Sequence, residues 1–408
     1  MTRLPGDVRI VLAAQALRAF AYGLGAVLLG RTLADLRLGA AATGLVLAAT
    51  VAGTAVASVL VARFGDRVGR RRAYRLLYLI LAATGVVFAF AGTAWPLALA
   101  GLGGALSTEV IESGPFTSLE QAMLATGLAD RRRVHGFGLY NAVAAGAGSL
   151  GALAAALPGR ARQLWPAAPG DQRWFLLFVP AALAGAVLVG RLTGRVETPR
   201  LTDAAPAGLG RSRPTVARLS SLFALDSFAG GITVSAFIAY WLSTRFDATA
   251  AVVGLTFAVL GLLQTASFLA APRLADRFGL LPTMVFTHLP SDLLLAAVAF
   301  APNLPTAIGL LLARTTLSQM DVPTRQAYVM ALVDPAERTA AAAYTGTARY
   351  LTRPLGPPVA AAAAGLAPGL PFLLSGAIKA GYDLTLWTWF RRVPLPPSQP
   401  ATVAKEMP

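Results

Sequence analysis

The amino-acid sequence predicts an all-α membrane protein with twelve transmembrane helices arranged in two pseudo-symmetric six-helix bundles. Three observations predict this fold class. The 408 residues are 56% hydrophobic and only 13% charged, with a mean hydropathy of +0.61, which is too apolar for a water-soluble chain of this length. Apolar runs of about 20 residues recur along the whole chain. The two halves also carry a common sequence pattern, which indicates an internal repeat.

Each apolar run is long enough to cross a hydrocarbon layer of about 30 Å as a helix. The predicted spans lie near residues 10–30, 42–62, 74–94, 97–120, 136–157 and 174–192, then 216–242, 250–271, 283–301, 305–327, 340–365 and 370–390. The longest polar interruption, 191–218, is rich in Pro, Gly and Arg and indicates a linker between two bundles. The predicted divisions are an N-terminal bundle at 1–193, a cytoplasmic linker at 194–215, a C-terminal bundle at 216–392 and a cytoplasmic tail at 393–408.

The formal net charge of +16 is interpreted as topology, because Lys and Arg concentrate in loops on the same side as the N-terminus. That asymmetry predicts that both termini are cytoplasmic. The high Ala and Arg content is typical of a GC-rich bacterial genome, so we expect the inner (cytoplasmic) membrane of a bacterium. The expected partners are a small-molecule substrate and membrane lipid rather than nucleic acid, and the chain is expected to be a monomer. Arg18 interrupts the first apolar run, which favours an uncleaved first span over a signal peptide.

Several function classes lack their chemistry in this sequence. The chain contains no Cys and only two His, so a Cys-based zinc site and paired-His metal catalysis are excluded. It has neither a Gly-x-Ser-x-Gly nucleophile elbow nor a Gly-x4-Gly-Lys-Ser/Thr phosphate loop. We therefore expect no enzyme activity, no cofactor and no bound metal, with a proton gradient as the expected energy source.

The repeat is clearest where the second span of each half ends. Asp66-Arg67 follows Gly44 at the same distance at which Asp276-Arg277 follows Gly254. In the first copy a glycine and a basic cluster complete a short loop. There the acid can accept hydrogen bonds from a helix N-terminus or an arginine, and the arginines hold the loop at the inner face. The predicted conformational latch consists of Gly65, Asp66, Arg67, Gly69, Arg70, Arg71, Asp276 and Arg277.

This loop resembles the signature loop of the major facilitator superfamily, Gly-x-Leu-Ala-Asp-Arg-x-Gly-Arg-Arg, in the same place between spans two and three. The resemblance covers essentially the whole chain, although Ala62 stands where the family has its first Gly and the second copy lacks the basic cluster. It implies a substrate site near the bilayer midplane between the two halves, exposed alternately to each side as they rock. It also implies that spans one, four, seven and ten line the cavity.

Charged residues within the predicted spans are costly in hydrocarbon, by about 2.5–3.5 kcal/mol each on insertion scales, and therefore indicate a paired or functional interior. The repeat aligns Arg18 with Asp226, Glu109 with Arg314, and Glu120 with Arg325, so equivalent positions carry opposite charges. We expect Arg18 to neutralise Glu109 or Glu112, and Asp226 to neutralise Arg314. The candidates for cavity lining and proton coupling are Glu112, Glu109, Arg18, Asp226 and Arg314.

Glu112 is the carboxylate without an assigned partner, and a buried carboxylate of that kind can bind a proton near neutral pH. It is the first candidate for the coupling site, and Glu109, three residues away, is the second. The alternative is that these acids only satisfy nearby arginines or hydroxyl groups.

Four further residues on spans ten and eleven are candidates for a gate or a substrate contact: Asp321, Arg325, Arg349 and Arg353. The pair Arg349 and Arg353 shares one helix face and precedes a proline-rich stretch at which the helix must bend. These guanidinium groups suit an anionic substrate or, alternatively, pairing with Asp321 or Asp292.

The remaining charged positions have simpler interpretations. Lys379 and Asp383, four residues apart, are expected to neutralise each other. His135 and His288 are expected to be interfacial histidines rather than proton relays.

The sequence thus predicts a secondary transporter for a small organic solute, coupled to protons, with efflux as the favoured direction. Span five lacks the Gly-Pro motif of the family's drug/proton antiporters, which weakens the export interpretation. The alternatives are a facilitator or uptake carrier for a metabolite, an anionic one among the candidates, and a membrane sensor that does not transport.

Overall fold

The computed structural model describes residues 5–107, 109, 114–127, 130–197, 209–334 and 337–393, and within these ranges the side chains of 66, 125–127, 130–138, 338 and 339 lie outside the description. The described part of the chain is helical and contains no β-strand. Within these ranges, eight segments are long and apolar enough to cross a membrane: Gly6–Asp35, Ala40–Gly65, Arg70–Phe90, Leu139–Leu164, Asp171–Gly190, Arg213–Phe246, Ala250–Phe278 and Leu280–Val298.

The helices of the first half are α1 (Gly6–Asp35), α2 (Ala40–Val68), α3 (Arg70–Phe90), α4 (Ala94–Leu102), α5 (Pro115–Gly127), α6 (Asp130–Ala154), α7 (Leu157–Leu164) and α8 (Phe178–Gly190). Those of the second half are α9 (Arg213–Ile232), α10 (Ser235–Phe246), α11 (Ala250–Phe278), α12 (Leu280–Val298), α13 (Leu304–Ser318), α14 (Asp321–Leu332), α15 (Arg338–Thr352), α16 (Gly356–Leu366) and α17 (Leu370–Phe390). The limits of the four predicted divisions stay predictions.

Several predicted spans are broken rather than continuous. The fourth span is split into α4 and α5, and Glu109 lies in the non-helical segment between them. The seventh is interrupted at Thr233 and Val234, and the tenth between Ser318 and Asp321. The eleventh passes through a 3-10 turn at Arg353–Leu355, as its prolines predict, because a proline removes a backbone donor and cannot continue an α-helix without distortion.

The predicted repeat is visible in the backbone where the second helix of each half turns into the third. Gly69 separates α2 from α3 with φ +96°, and Gly279 separates α11 from α12 with φ +91°. A residue with a Cβ is strained in this left-handed region, so glycine permits the reversal at both positions.

Among the described residues, one apolar core extends across both halves and another lies within the second half. In the first half α1 lies against α6 and α8, and α3 lies against α8. The aromatic side chains of Tyr74, Tyr78 and Phe116 contact one another at centroid distances of 5.0–5.8 Å. In the second half α12 lies against α17 and α13, and α9 lies against α15 and α17.

The halves contact each other through α1 with α10, α2 with α16, and α6 with α11. These contacts depend on glycines at the end of the molecule where α1 ends and α2 begins, which we call the closed end. A Cβ on Gly30 would lie 2.5 Å from the Ala239 Cβ, and one on Gly44 would lie 2.5 Å from the Ala361 Cβ. Backbones therefore meet directly at the closed end, as small residues allow in membrane bundles.

Candidate functional site

A cavity of about 200 Å³ lies between the two halves, and we call it the central cavity. Its wall from the first half consists largely of small residues, among them Gly23, Ala26, Gly148, Ser149 and Ala152. The charged residues that line it are Glu109, Asp226, Arg314, Asp321, Arg325, Arg349, Arg353 and Lys379. Among the described residues, all of these except Glu109 belong to the second half, so the described part of the lining is electrostatically asymmetric.

A second cavity of about 480 Å³ adjoins the central cavity on the side of the molecule opposite the closed end. Ser227, Val322, Arg325, Arg349 and Arg353 line both cavities. The two cavities are therefore adjacent, and the second is lined by residues of the second half.

Asp226 of α9 lies at the centre of an ionic network that we call the Asp226 network. Lys379 Nζ of α17 donates to Asp226 Oδ1 at 2.5 Å, and Arg325 Nη1 of α14 lies 3.4 Å from Asp226 Oδ2. Arg325 also donates to Asp321 Oδ2 at 2.7 Å, one helical turn earlier on α14. The three elements are thus held together by charges that also line the central cavity.

The corresponding charges of the first half form a different arrangement, which we call the Arg18 pair. Arg18 of α1 makes two hydrogen bonds to Glu120 of α5, at 3.0 and 2.7 Å, with side-chain exposures of 2% and 0%. The hydroxyls of Tyr74 and Tyr140 donate to the same carboxylate at 2.8 and 2.6 Å. The carboxylate is therefore fully hydrogen-bonded, which is the condition under which a buried ion pair is tolerated.

These contacts correct the predicted pairings. Arg18 pairs with Glu120 and not with Glu109, and Asp226 pairs with Lys379 and Arg325 and not with Arg314. The reason is that hydrogen-bond reach depends on how the helices pack, whereas the repeat alignment gives only depth. The repeat alignment nevertheless matches Arg18 with Asp226 and Glu120 with Arg325, and each half forms an ion pair from these two positions. The cation and the acid exchange places between the halves.

The pair predicted within α17 is also wrong. Lys379 reaches α9, and Asp383 instead contacts His288 of α12, with 3.0 Å between Asp383 Oδ2 and His288 Nδ1. His288 is 4% exposed and lines the central cavity, so the expectation of an interfacial histidine is wrong. The sequence contains a signal for this arrangement. His288 and Asp292 are four residues apart, and so are Lys379 and Asp383, so each pair lies on one helix face and the two faces oppose each other.

Glu109 connects the two halves. Its carboxylate accepts a hydrogen bond from the Ser235 hydroxyl at 3.2 Å and lies 3.3 Å from Arg353 Nη2. Arg353 therefore pairs with Glu109 rather than with Asp321 or Asp292. Glu112, the first candidate for proton coupling, lies outside the described residues, and so does the side chain of His135.

Arg314 lines the cavity from α13, and its Nε is buried without a hydrogen-bond partner among the described residues. The charges of Asp292 and Glu109 are its nearest electrostatic partners. Arg349 also lines the cavity, four residues before Arg353, as predicted from the sequence.

The predicted latch surrounds the Gly69 turn. Gly65 and Arg67 lie in the last turns of α2, and the backbone N–H groups of Arg70 and Arg71 at the start of α3 donate to Glu197 at 2.7 and 3.2 Å. In the first copy the Asp66 side chain lies outside the described residues. In the second copy Arg277, which follows Asp276, stacks over the Phe278 ring at 5.3 Å. The sequence did not single out Glu197, although a carboxylate at a helix N-terminus is favourable.

Glu337 caps the second half in a related way. It accepts hydrogen bonds from the backbone N–H groups of Gly210, Arg211 and Ser212 at 3.0–3.1 Å, just before α9 begins. Hydrogen bonds from Ser212, and then from Gly210 and Arg211, hold the pKa of Glu337 below its usual range, because they stabilise the ionised carboxylate.

Comparison with known proteins yields one sequence relative and several structures of the same fold. No protein-family model matches the chain. An uncharacterised membrane protein of Saccharomyces cerevisiae is 24% identical over 386 residues, which cover 86% of each chain.

Crystal structures of transporters are similar over nearly their full length. The nucleoside transporter NupG has a TM-score of 0.71 at 15% identity and covers 94% of this chain and 98% of its own. The D-xylose-proton symporter has a TM-score of 0.69 at 14% identity, with coverages of 93% and 97%. The human organic anion transporter MFSD10 has a TM-score of 0.65 at 18% identity, with coverages of 93% and 99%. Because the identities are this low, the structural similarity establishes a common fold alone.

Proposed function

We propose that this chain, whose fold is that of the major facilitator transporters, is a secondary transporter that moves a small organic solute through the central cavity by alternating access. The single observation that carries the proposal is a charged cavity between two halves whose described residues meet closely at the closed end. We propose further that the protein is a monomer without enzyme activity. It would reside, surrounded by lipid, in a bacterial inner membrane with both termini in the cytoplasm.

The close contacts at Gly30 and Gly44 support a gate at the closed end. With the predicted orientation, that end faces outward, and the second cavity leads from the central cavity toward the cytoplasm. The conformation is then inward-facing. Rocking of the halves would separate the closed end and bring the cytoplasmic ends of the bundles together.

The contacts of Glu109 with Ser235 and Arg353 join the halves beside the cavity. Because these groups belong to different halves, their separation changes whenever the halves rock. A solute with a charged or hydroxyl group can compete for Arg353 or Ser235 and so favour one conformation over the other. A ligand shifts such an equilibrium only through its different affinity for the two states.

Proton coupling, with efflux as the favoured direction, is the finer part of the proposal. It is supported by the acidic groups in the cavity and by the fact that a protein of the same fold is a D-xylose-proton symporter. Glu112 stays the sequence-predicted coupling residue. Glu109 is the weaker candidate, since its carboxylate already has a cationic partner in Arg353.

A second candidate function is uptake or facilitated diffusion of an anionic metabolite. The cavity lining favours it, because Arg314, Arg349 and Arg353 face a space that also contains Arg325 and Lys379. A protein of the same fold is a human organic anion transporter.

The test begins with ligand identification. Purified protein would be screened with nucleosides, sugars and organic anions for an increase in melting temperature, since a ligand of the folded state stabilises it to an extent that rises with its concentration over its Kd. The strongest stabiliser would then be radiolabelled and followed in proteoliposomes with and without a pH gradient. Saturable flux that depends on the gradient supports the proposal, and binding without any flux would favour a sensor instead.

The variants Glu112→Gln and Glu109→Gln form a matched pair for the coupling residue. We expect Glu112→Gln to remove the response of flux to the pH gradient while solute exchange continues, and Glu109→Gln to weaken solute binding instead. Unchanged proton coupling in Glu112→Gln would rule out that assignment.

A further inference from the structure

We propose that His288, Asp292 and Asp383, which we call the triad, form a buried proton-binding site that exchanges one proton with the central cavity. The role of this proton in transport rests on the proposed function, whereas the presence of the site does not. The triad lies in the second half between α12 and α17, on helices that the sequence analysis did not assign to the cavity.

The geometry places one imidazole nitrogen between two carboxylates. His288 Nδ1 lies 3.0 Å from Asp383 Oδ2 and 3.1 Å from Asp292 Oδ2. Asp292 and Asp383 have 0% exposure, and His288 has 4%. A single Nδ1–H can donate well to only one of the two acids, and only its contact with Asp383 has hydrogen-bond geometry.

Three carboxylate oxygens are left without a donor. Asp292 Oδ1 and Oδ2 and Asp383 Oδ1 are buried and have no hydrogen-bond partner among the described residues. An ionised carboxylate with unsatisfied oxygens in such a place is strongly unfavourable. A proton on one acid removes one of two negative charges that lie close together, because a side-chain nitrogen or oxygen atom from each of the three residues lies within 4.8 Å of the other two. Two buried carboxylates this close cannot both ionise cheaply, so one of them binds a proton readily.

The proton has a short route to the triad. His288 lines the central cavity and also touches both acids, which themselves do not line it. The imidazole can therefore accept a proton from cavity water on one side and pass one to a carboxylate on the other. Histidine serves this purpose well because it exchanges protons near neutral pH.

The charged and titratable groups that face the triad come from four helices of the second half. They are Asp226 of α9, Arg314 of α13, Asp321 of α14, and Lys379 and Tyr382 of α17. The positive groups Arg314 and Lys379 both face Asp292. They disfavour a divalent metal ion at the triad and leave the proton as the better-suited cation.

Lys379 links the charge of the triad to the wall of the central cavity. Its ammonium group donates to Asp226 of α9 and also faces Asp292. When the triad loses a proton, its added negative charge competes with Asp226 for Lys379. When the triad gains a proton, Lys379 is released to Asp226, which tightens the contact between α9 and α17. Protonation would thus change the charge distribution of the cavity wall without requiring a substrate.

Infrared spectroscopy of the purified, metal-free protein tests the site directly. A protonated carboxylic acid has a carbonyl band separate from that of a carboxylate, and we expect a pH-dependent band of this kind between about pH 5 and pH 8. Asp292→Asn and Asp383→Asn should each remove it. Asp35→Asn, which removes a carboxylate with 53% side-chain exposure at the end of α1, should leave it unchanged. A wild-type spectrum without the band, or a band that persists in both triad variants, would overturn the proposal.

Histidine NMR provides a measurement that needs no carboxylate variant. The chain has only His135 and His288, so one spectrum of His135→Gln assigns both imidazoles. We expect the His288 signal to change over the same pH interval as the infrared band. A His288 signal that responds to stoichiometric Zn²⁺ but not to pH would identify a metal site and contradict the proton assignment.

The role in transport is tested separately in proteoliposomes. Asp383→Asn should lose the response of flux to a pH gradient while solute exchange continues. If wild-type protein transports nothing, the proposed function fails while the infrared band still decides the triad. If Asp383→Asn keeps full proton coupling although the band is lost, the triad binds a proton that transport does not use, and the coupling role is wrong.

Discussion

The Arg18 pair and the Asp226 network occupy matching positions in the two halves, yet they differ in both polarity and surroundings. In the first half the cation lies on α1 and the acid on α5, and two tyrosine hydroxyls complete the acid. In the second half the acid lies on α9, and its partners on α14 and α17 line the central cavity. One duplicated position has thus become a closed structural contact in the first half and a cavity-facing network in the second.

This difference indicates that the Arg18 pair and the Asp226 network have different roles. The Arg18 pair is closed off from any solute in the cavity, because both partners are almost completely buried. The Asp226 network shares its charges with the cavity and with the triad. We therefore expect changes in the first half to affect folding, and equivalent changes in the second half to affect transport.

The largest effect is expected from Arg18→Met, which leaves Glu120 buried without its cation. Removing one partner of a buried ion pair costs about 3–5 kcal/mol, so the melting temperature and the yield of monodisperse protein should fall sharply. The double variant Arg18→Met with Glu120→Gln should recover most of this loss, since the introduced amide carries no charge. Its oxygen can accept from one tyrosine, and its NH2 group can donate to the hydroxyl oxygen of the other. A single variant that melts like wild type would show that the pair is not a structural contact.

Asp226→Asn should reverse that pattern. Arg325 keeps Asp321 as a partner, so we expect a stability loss of only about 1–3 kcal/mol. Transport should fall at least about tenfold, because Lys379 loses its charged partner on α9 and the cavity wall is rearranged. A tenfold fall corresponds to a change of about 1.4 kcal/mol in the barrier. Parallel thermal melts and proteoliposome flux check both parts of this prediction. A severe folding defect with normal specific activity would contradict the contrast between the two halves.

An intermediate effect is expected at the closed end, where both halves contribute. Gly30→Leu forces a side chain against Ala239 and should shift the protein toward the conformation in which this end is open. Because the chain contains no Cys, a single Ala145→Cys in the cavity wall can be labelled without background. Labelling by an impermeant thiol reagent added outside should rise severalfold with Gly30→Leu. Gly309→Leu is the matched control, since a Cβ at Gly309 meets nothing within 4 Å, and it should leave labelling unchanged.

The smallest effect is expected from Glu337→Gln at the start of α9. The pKa of Glu337 is lowered in the folded protein, so its contribution is present above the unfolded pKa and is lost as the pH falls through the folded value. The melting temperature should fall by no more than about 2 °C near neutral pH, and the difference from wild type should vanish in acid. A difference that grows as the pH falls would contradict this assignment.

The sequence predicted the elements whose signal is local or repeated. Apolar length located eight of the segments that the structure forms as helices long enough to cross a membrane, and the Asp-Arg repeat located the equivalent turns at Gly69 and Gly279. Of the charged residues predicted for the cavity, Asp226, Arg314 and Arg325 line it, whereas Arg18 is buried against Glu120 instead. Their roles in transport stay predictions.

The partners of these charges could not be predicted in the same way. Lys379 reaches Asp226, and His288 reaches Asp383, only because α17 packs against both α9 and α12. Two residues at equal depth along the membrane axis can still point in different directions, because depth does not determine how each helix is rotated about its own axis. A spacing of four predicts a pair within α17, but it places Lys379 and Asp383 on one face that is directed at the neighbouring helices.

The glycine contacts at the closed end have a consequence for leakage. No bulky side chain lies between Gly30 and Ala239 that could swing aside as a rotamer flips in nanoseconds. Water and ions can cross only after whole helices separate, on the microsecond-to-millisecond scale of collective motions. The empty protein should therefore be a tight barrier, and its turnover should be limited by how fast two bundles come apart rather than by diffusion through the pore.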